Sequence, residues 1–272
     1  MATKVIDVSN HNGAIDFAKV KAAGIENVII RCGVTGYGAI HTLYKDEMFE
    51  TNYQKAKAAG FKVGTYYYSV ATSLEDAERE AAFVLDIIKG KQFELPVYMD
   101  VEDTHDVTAS GVHPKNMQGL SKTELTEIVD RFCSTVEKAG YFVGIYSGKY
   151  WFRDEMDMDV LNRYTVWLAH WTTQTDYTGA YGLWQYTDSG TVDGIAGKVD
   201  MSYLYEDFTT PIQKLGLNGF TAAGETEPEQ AEPPAEDLTT VTLTGTASVY
   251  GDVEVTITPQ QAKRIVKLAE EA

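Results

Sequence analysis

Apolar and polar positions follow two alternating periods along residues 4–208. Short apolar runs favour strands, and longer segments with apolar residues at helical spacing favour helices. An Ala-Gly pair followed by Ile, Phe or Tyr recurs at residues 23–25, 59–61 and 139–141, each time between a helix and a strand. The predicted strands are 5–8, 28–32, 61–69, 95–103, 141–147, 165–171, 182–187 and 198–202; the predicted helices are 16–23, 45–59, 73–89 and 121–139.

This repeated helix–strand unit predicts parallel strands joined by crossover helices. We therefore expect an α/β fold, most simply an irregular TIM-like (β/α) barrel. Predicted helices become scarce after Tyr150, so the irregularity should fall in the last third of the barrel.

The composition changes near residue 221. Residues 222–237 contain six acidic residues, three prolines and no basic residue, which is typical of an extended linker. Beyond it, alternating Val and Thr positions predict two strands, and Thr-Pro-Gln-Gln at 258–261 predicts a helix start. The predicted organisation is a catalytic barrel over 1–215, an acidic linker over 216–238 and a small C-terminal ββα module over 239–272.

The predicted module is too short to close a stable core without disulfides, a metal or a partner. It contains no cysteine and no plausible set of metal ligands. We therefore expect it to self-associate, which would make the protein a homo-oligomer. A monomeric binding module is the alternative.

Charge and cysteine content limit the classes of partner. The net charge of −17 argues against nucleic acid or an anionic membrane as the main partner. No apolar run reaches the roughly 18 residues of a membrane-spanning helix, and residues 1–4 lead straight into a predicted strand without a signal peptide. We expect a protein released from the cytoplasm or a processed secreted form, with Cys32 and Cys133 as small buried residues.

The predicted strand at 95–103 ends in acidic residues. Asp100 and Glu102 should point to one face of it, with Cα atoms roughly 6.6 Å apart, two rises of about 3.3 Å. Burial and mutual repulsion would raise the pKa of one carboxyl, which gives a proton donor beside an ionised neighbour. That pair suits cleavage of a glycosidic bond. A solvated acidic loop is the alternative reading of an isolated Asp-x-Glu.

In a barrel of this kind the reaction site lies at the carboxyl ends of the strands. This rule brings further acidic and aromatic residues to Asp100 and Glu102. Carboxylates beside aromatic faces suit a sugar polymer, whose rings carry apolar C–H faces and hydroxyl edges. The residues collected are Asp7, Tyr66 or Tyr68, Tyr146, Trp167 or Trp171, Trp184 or Tyr186, and Asp200.

The order and spacing of these motifs resemble glycoside hydrolase family 25, the lysozymes (N-acetylmuramidases) of bacteria, fungi and phages. The resemblance covers about residues 4–208. Tyr67 is a departure, because many members have His after the third-strand tyrosine. The matching motifs are Asp7-Val8-Ser9, Asn12-Gly13, Ile15-Asp16, Gly64-x-Tyr66, Asp100-x-Glu102, Ile145-Tyr146-Ser147, Trp167-Leu168-Ala169, Trp184-Gln185-Tyr186-Thr187 and Val199-Asp200.

The resemblance implies hydrolysis of the β-1,4 bond between N-acetylmuramic acid and N-acetylglucosamine in the peptidoglycan of the bacterial cell wall. It makes Glu102 the general acid and Asp100 its catalytic assistant. It places Asp7 and Asp200 in the same groove, and we expect Tyr66, Tyr146 and Trp167 to bind substrate there. Retention assisted by the 2-acetamido group of the substrate is favoured, with inversion left open.

Three other functions remain open at this stage. A metal site could use Asp103, His105, Asp106 and His113 with the acidic pair, but their spacing matches no defined zinc pattern, and we expect no metal or cofactor. A carbohydrate-binding protein on an inactive hydrolase fold is the second alternative. The third is a related hexosaminidase acting on chitin-like chains.

Overall fold

The computed structural model describes residues 2–36, 41–102 and 117–222. Within these ranges the chain forms nine strands. They are β1 (Thr3–Val8), β2 (Asn27–Thr35), β3 (Leu43–Lys45), β4 (Lys62–Ser69), β5 (Val97–Val101), β6 (Val143–Gly148), β7 (Thr165–Ala169), β8 (Leu183–Gly190) and β9 (Val199–Leu204).

Six α-helices accompany the strands in the same part of the chain. They are α1 (Phe17–Ala22), α2 (Phe49–Ala58), α3 (Leu74–Ile88), α4 (Lys122–Lys138), α5 (Met158–Leu161) and α6 (Thr209–Lys214). A short π-helical turn, Trp151–Glu155, follows β6.

Eight of the strands close into a barrel, and β3 is added to the outside of β2. Neighbouring strands are parallel from β1 through β2, β4, β5, β6 and β7 to β8. Strand β9 closes the ring antiparallel to both β8 and β1. The expected α/β barrel is confirmed, with its irregularity in the last third.

The reversed direction of β9 has a simple geometric cause. A parallel connection needs a crossover of about a dozen residues or more, usually with a helix. Residues 191–198 between β8 and β9 are too few, so the chain turns back and pairs antiparallel.

The helix boundaries agree with the local sequence signals except at α2. Ser121 and Glu124 form the predicted capping box at the start of α4. The predicted helix over 45–59 begins only at Phe49, because residues 43–45 pair with β2 as β3. The Asp46 side chain then accepts a hydrogen bond from the Met48 backbone N–H (2.9 Å) and shapes the turn into α2.

Strand alternation divides the buried side chains into two cores. One core lies between the strands and the surrounding helices and includes Met99 on β5 and Phe132 on α4. The second fills the barrel interior, where Ile29, Tyr98 and Trp167 pack together. Both cysteines are buried and free, as expected.

The amino-terminal end of the barrel is closed by α6 and the residues after it. Phe208 and Ile212 belong to the interior core, and Asn218 is fully buried. Asn218 Nδ2 donates to the carbonyls of Phe93 (3.1 Å) and Leu95 (2.9 Å), and its Oδ1 accepts from the Phe142 N–H (2.7 Å). Residues 216–222 therefore pack with the barrel, whereas the sequence analysis assigns them to the linker.

We expect Asn218→Ala to lower the free energy of unfolding by about 2–4 kcal/mol, because it leaves buried backbone groups without partners. The native residue also adopts a left-handed backbone (φ 55°), which alanine disfavours. Urea unfolding of the variant measures the loss. Asn162→Ala, which removes an exposed hydrogen bond after α5, is the matched control and should change stability by less than about 0.5 kcal/mol. Equal stability of the two variants would contradict the closure role.

The chain divides into two compact units, Met1–Ala223 and Gly224–Ala272. The predicted ββα pattern and self-association of 239–272 lie outside the described residues, as do Asp103, His105, Asp106 and His113. Among the helices that are described, none is long and apolar enough to cross a membrane.

Candidate active site

One end of the barrel collects the polar side chains that the sequence analysis singled out. Asp7 lies near the carboxyl end of β1, and Asp100 near that of β5. The strand register places Asp100 beside Tyr146 on β6, and Tyr146 beside Trp167 on β7. Parallel neighbours therefore bring these side chains to one level of the barrel interior.

Asp200 reaches this end of the barrel by a different route. The sequence analysis collected it by the rule of carboxyl strand ends, but it lies near the amino end of β9. Because β9 runs antiparallel to β1, Asp200 pairs directly with Asp7 in the sheet. The reversal of the last strand therefore delivers a further carboxylate to the site.

These side chains line a pocket of about 190 Å³. It includes every predicted catalytic and substrate-binding residue. Asp7 and Asp100 are buried, whereas Glu102, just beyond the end of β5, is half-buried. The lining residues are Asp7, Tyr66, Asp100, Glu102, Tyr146, Trp167, Trp171, Gln185, Asp188 and Asp200.

Aromatic rings form the floor of the pocket. Trp167 is almost fully buried, and its indole N–H donates to Ser202 Oγ (3.0 Å). The rings of Tyr66, Tyr98 and Tyr146 pack edge-on against it, with centroids 6.1, 5.1 and 4.6 Å away. Trp167 thus holds Tyr66 and Tyr146 in fixed positions, because tightly packed rings have little freedom to turn.

Gln185 is a pocket residue that the sequence analysis missed. Its Oε1 accepts hydrogen bonds from Tyr146 Oη (2.8 Å) and Trp171 Nε1 (2.9 Å), while Nε2 donates to Asp7 Oδ2 (3.1 Å). The expected side chains, Trp184 or Tyr186, point to the outer face of β8, so this choice was wrong. Side chains of β8 alternate between its two faces as predicted, but the sequence of the strand does not reveal which face points into the barrel.

Arg31 is a second residue that the sequence analysis missed. A charged side chain within the apolar strand at 28–32 is an unusual feature that could have indicated a site. Asp46 Oδ2 pairs with Arg31 Nη2 (2.8 Å), and Asn10 Oδ1 accepts a hydrogen bond from the same nitrogen (2.5 Å). The guanidinium opposes the rise of the Asp100 pKa, which gives this acidic pocket a nearby positive charge.

Burial and mutual repulsion raise the pKa values of Asp7, Asp100 and Asp200 in the acidic cluster. The pKa of Asp100 is raised well above its ordinary value, first by burial and then by the charges of Glu102 and Asp7. Burial and the charge of Asp200 likewise raise the pKa of Asp7. Asp7 and Asp200 also share a hydrogen bond, which requires one proton between the two carboxyl groups.

Burial, followed by the charge of Asp188, raises the pKa of Asp200 to about 6. The folded protein therefore holds this proton more tightly than the unfolded chain does between about pH 4 and 6. Stability should fall as the pH rises through this window and stay level above it. The Asp200 carboxylate thus lowers the stability of the folded protein at neutral pH.

We expect Asp200→Asn to raise the melting temperature at pH 8, with the gain shrinking towards pH 4. A gain of about 2–4 °C is reasonable, because Asp200 is partly exposed and solvent screens its charge. Melting curves at pH 4, 6 and 8 measure the effect, with Asp86→Asn on the exposed face of α3 as the control. A gain that grows towards pH 4 would contradict the raised pKa.

Tyr67, the departure from the family pattern, faces away from the pocket. Its ring packs in the outer core, stacked near Phe132, and its hydroxyl bonds with Thr35 Oγ1 (2.8 Å). The substitution therefore affects packing behind the barrel wall. In the described part of the chain, no group of three or more His, Cys, Asp and Glu side chains is arranged to hold a metal ion.

Comparisons with known proteins give consistent matches. Residues 6–195 match the family model described as glycosyl hydrolases family 25. The autolytic lysozyme of Clostridium acetobutylicum is 28% identical over 206 residues, 75% of this chain and 56% of that protein.

Solved structures give the same picture. The modular autolysin LytC of Streptococcus pneumoniae is 29% identical with a TM-score of 0.64, over 75% of this chain and 47% of LytC. LytC has also been solved in complex with a synthetic peptidoglycan ligand. The bacterial lysozyme of Streptomyces coelicolor (24% identity, TM-score 0.62, 79% of this chain and 97% of that one) shares the fold. The chain spans about half the length of the Clostridium and Streptococcus proteins.

Proposed function

The chain belongs to family 25 of the glycosyl hydrolases, and from this premise we propose that it is a lysozyme. It hydrolyses the β-1,4 bond between N-acetylmuramic acid and N-acetylglucosamine in peptidoglycan. The observation that carries the proposal is the convergence of four carboxyl groups, Asp7, Asp100, Glu102 and Asp200, on one aromatic-floored pocket. The autolytic lysozyme relative and the peptidoglycan complex of LytC support the same substrate.

Glu102 is the general acid in this proposal. It extends beyond the end of β5 and is half-buried, whereas Asp100 lies deeper in the same pocket. An acid must come within hydrogen-bond reach of the leaving oxygen, and the carboxyl nearer the pocket mouth is better placed for that.

Asp100 stabilises the reacting centre. Its Oδ1 is buried and accepts no hydrogen bond from any described residue, so a substrate N–H could satisfy it. The 2-acetamido group carries such an N–H, and its carbonyl oxygen can attack the anomeric carbon when that N–H is held. As the acetamido oxygen attacks, Glu102 protonates the leaving oxygen and the glycosidic C–O bond breaks, which leaves a cyclic oxazolinium on the sugar. Water then attacks the anomeric carbon and opens this ring with net retention, while the Glu102 carboxylate takes a proton from the water and is restored as an acid.

The wall of the pocket opposite Asp100 is formed by Asp7, Asp200 and Gln185. The Asp7–Asp200 pair retains a proton, and Gln185 links Asp7 to Tyr146. Burial keeps the pKa values of Tyr66 and Tyr146 well above the ordinary value, so both hydroxyls remain donors at neutral pH. These groups suit the hydroxyl and acetamido edges of a sugar.

Product analysis tests the function directly. Digestion of purified peptidoglycan should release muropeptides with a reducing N-acetylmuramic acid end, identified by borohydride reduction and mass spectrometry. Reducing N-acetylglucosamine ends would indicate the other wall bond, and cleavage of chitin oligomers in preference to wall would indicate the hexosaminidase alternative. Binding to wall without products would support an inactive carbohydrate-binding protein.

A further inference from the structure

The outer face of β8 and β9 is covered by aromatic rings instead of a helix. Helix α5 precedes β7 and α6 follows β9, and the described chain has no helix between them. Tyr186 on β8 stacks on Tyr203 of β9 with centroids 4.5 Å apart and planes 19° apart. Trp184 and Tyr205 extend this row, 6.2 Å from Tyr186 and 6.5 Å from Tyr203.

A groove of about 690 Å³ runs beside this row and is here called the β8–β9 groove. Its walls combine aromatic rings with hydroxyl groups. None of its nine lining side chains is basic, and Asp188 is the single charged one among them. Its lining residues are Trp171, Thr172, Thr173, Trp184, Tyr186, Thr187, Asp188, Ser189 and Tyr203.

The β8–β9 groove is continuous with the acidic pocket, because Trp171 and Asp188 line both. Trp171 is 58% exposed, yet its indole N–H is held by Gln185 Oε1 (2.9 Å). The acidic pocket, at about 190 Å³, is smaller than the roughly 300–1,000 Å³ pockets that enclose drug-sized ligands. A polymer that places one bond there must leave over its rim, and Trp171 forms part of that rim.

We propose that the β8–β9 groove binds the glycan strand of the substrate outside the acidic pocket, and that it holds uncharged N-acetylhexosamine rings. The inference rests on the proposed function and adds a second contact region to it. Aromatic faces stack on the apolar C–H faces of pyranose rings, and Thr173 and Ser189 present hydroxyls to their edges. The absence of basic side chains and the charge of Asp188 disfavour anionic wall polymers.

Substrate length provides the test. In the full-length protein, Tyr203→Leu keeps an apolar cover on β9 but removes an aromatic face from the groove. We expect kcat/KM on intact peptidoglycan to fall about two- to tenfold, mainly through KM, as the loss of about 0.5–1.5 kcal/mol of ring contact predicts. The same variant should keep wild-type activity on the shortest soluble wall oligosaccharide that the wild-type protein cleaves.

Two further variants separate binding from folding. Thr173→Gln changes an exposed groove residue, narrows the groove without disturbing the core, and should reproduce the length-dependent loss. Tyr141→Leu alters a half-buried tyrosine just before β6, at the opposite end of the barrel, and should have no such effect. Melting curves of all three variants show whether each remains folded.

Several results would overturn the proposed role of the β8–β9 groove. Equal losses on long and short substrates, or no loss on either, would overturn the inference while leaving the lysozyme activity in place. If wild type cleaves neither substrate, the proposed function fails, and co-sedimentation of wild type and Tyr203→Leu with intact wall still tests the groove. A changed oligomeric state of Tyr203→Leu in light scattering, with wall binding intact, would assign the groove to a second copy of the chain and overturn it.

Discussion

Glu102→Gln should abolish wall lysis while leaving the fold and glycan binding intact. The amide keeps the shape of the side chain but cannot act as a proton donor to the leaving oxygen. Loss of a general acid typically reduces the rate by about a hundred- to ten-thousand-fold. Turbidity loss of a wall suspension measures the rate, and co-sedimentation with wall measures binding.

The control for this variant is a substitution of Glu94, which lies before the amino end of β5. Glu94→Gln changes a partly buried glutamate just before β5, whose Oε2 accepts a hydrogen bond from the Val63 N–H (3.0 Å) and which pairs with Lys57. Glu94 precedes the amino end of β5, whereas the pocket lies at its carboxyl end. Glu94→Gln should therefore keep near wild-type lysis. Near-normal lysis by Glu102→Gln would reject the assignment of the acid.

Asp100→Asn should be severely impaired, by about a hundredfold or more, and also more stable than wild type. The charge that supports the developing cation is lost, which removes stabilisation of the transition state. The wild-type carboxyl has its pKa raised by burial and by the charges of Glu102 and Asp7. Stability therefore falls as the pH rises through the titration of this group, and a neutral amide avoids that cost at pH 7–8.

Opposite changes in activity and stability distinguish this result from simple misfolding. Melting curves and lysis rates at pH 7.5 provide both measurements. Asp130→Asn, on α4 outside the barrel, removes a charge but keeps an oxygen that can accept from Tyr164 Oη (2.8 Å in the wild type), and should not raise stability or abolish lysis. Wild-type activity in Asp100→Asn together with complete loss in Asp7→Asn would reverse the proposed division of roles.

The stereochemical outcome tests how Asp100 acts. Proton NMR of the first-formed product, read before mutarotation, should show the β-anomer if the acetamido group participates. An initial α-anomer would indicate direct attack by water and inversion, with Asp100 or Asp7 as the base. Asp100 near the end of β5 and Glu102 just beyond it are two residues apart and line the same pocket, which leaves little room for a water between them and favours participation.

Short-range patterns in the sequence determine the elements and most of the acidic site. Alternating side chains place Asp100 and Glu102 on one face, and the repeated Ala-Gly ends divide helix from strand, with Gly24, Gly60 and Gly140 in the left-handed region that such ends require. The expected pocket residues Asp7, Tyr66, Tyr146 and Trp167 all line one cavity. Local rules suffice here because each concerns neighbours in the chain.

Only the tertiary structure decides which face of a strand points inward and which direction the last strand takes. Gln185, rather than Trp184 or Tyr186, enters the pocket because β8 pairs with β7 and β9 in a particular register. Arg31 acquires its role through Asp46 and Asn10, which are distant in sequence. Asp200 meets Asp7 because β9 is reversed. These features depend on pairing between strands that are far apart along the chain, and a pattern confined to one segment carries no information about its partner.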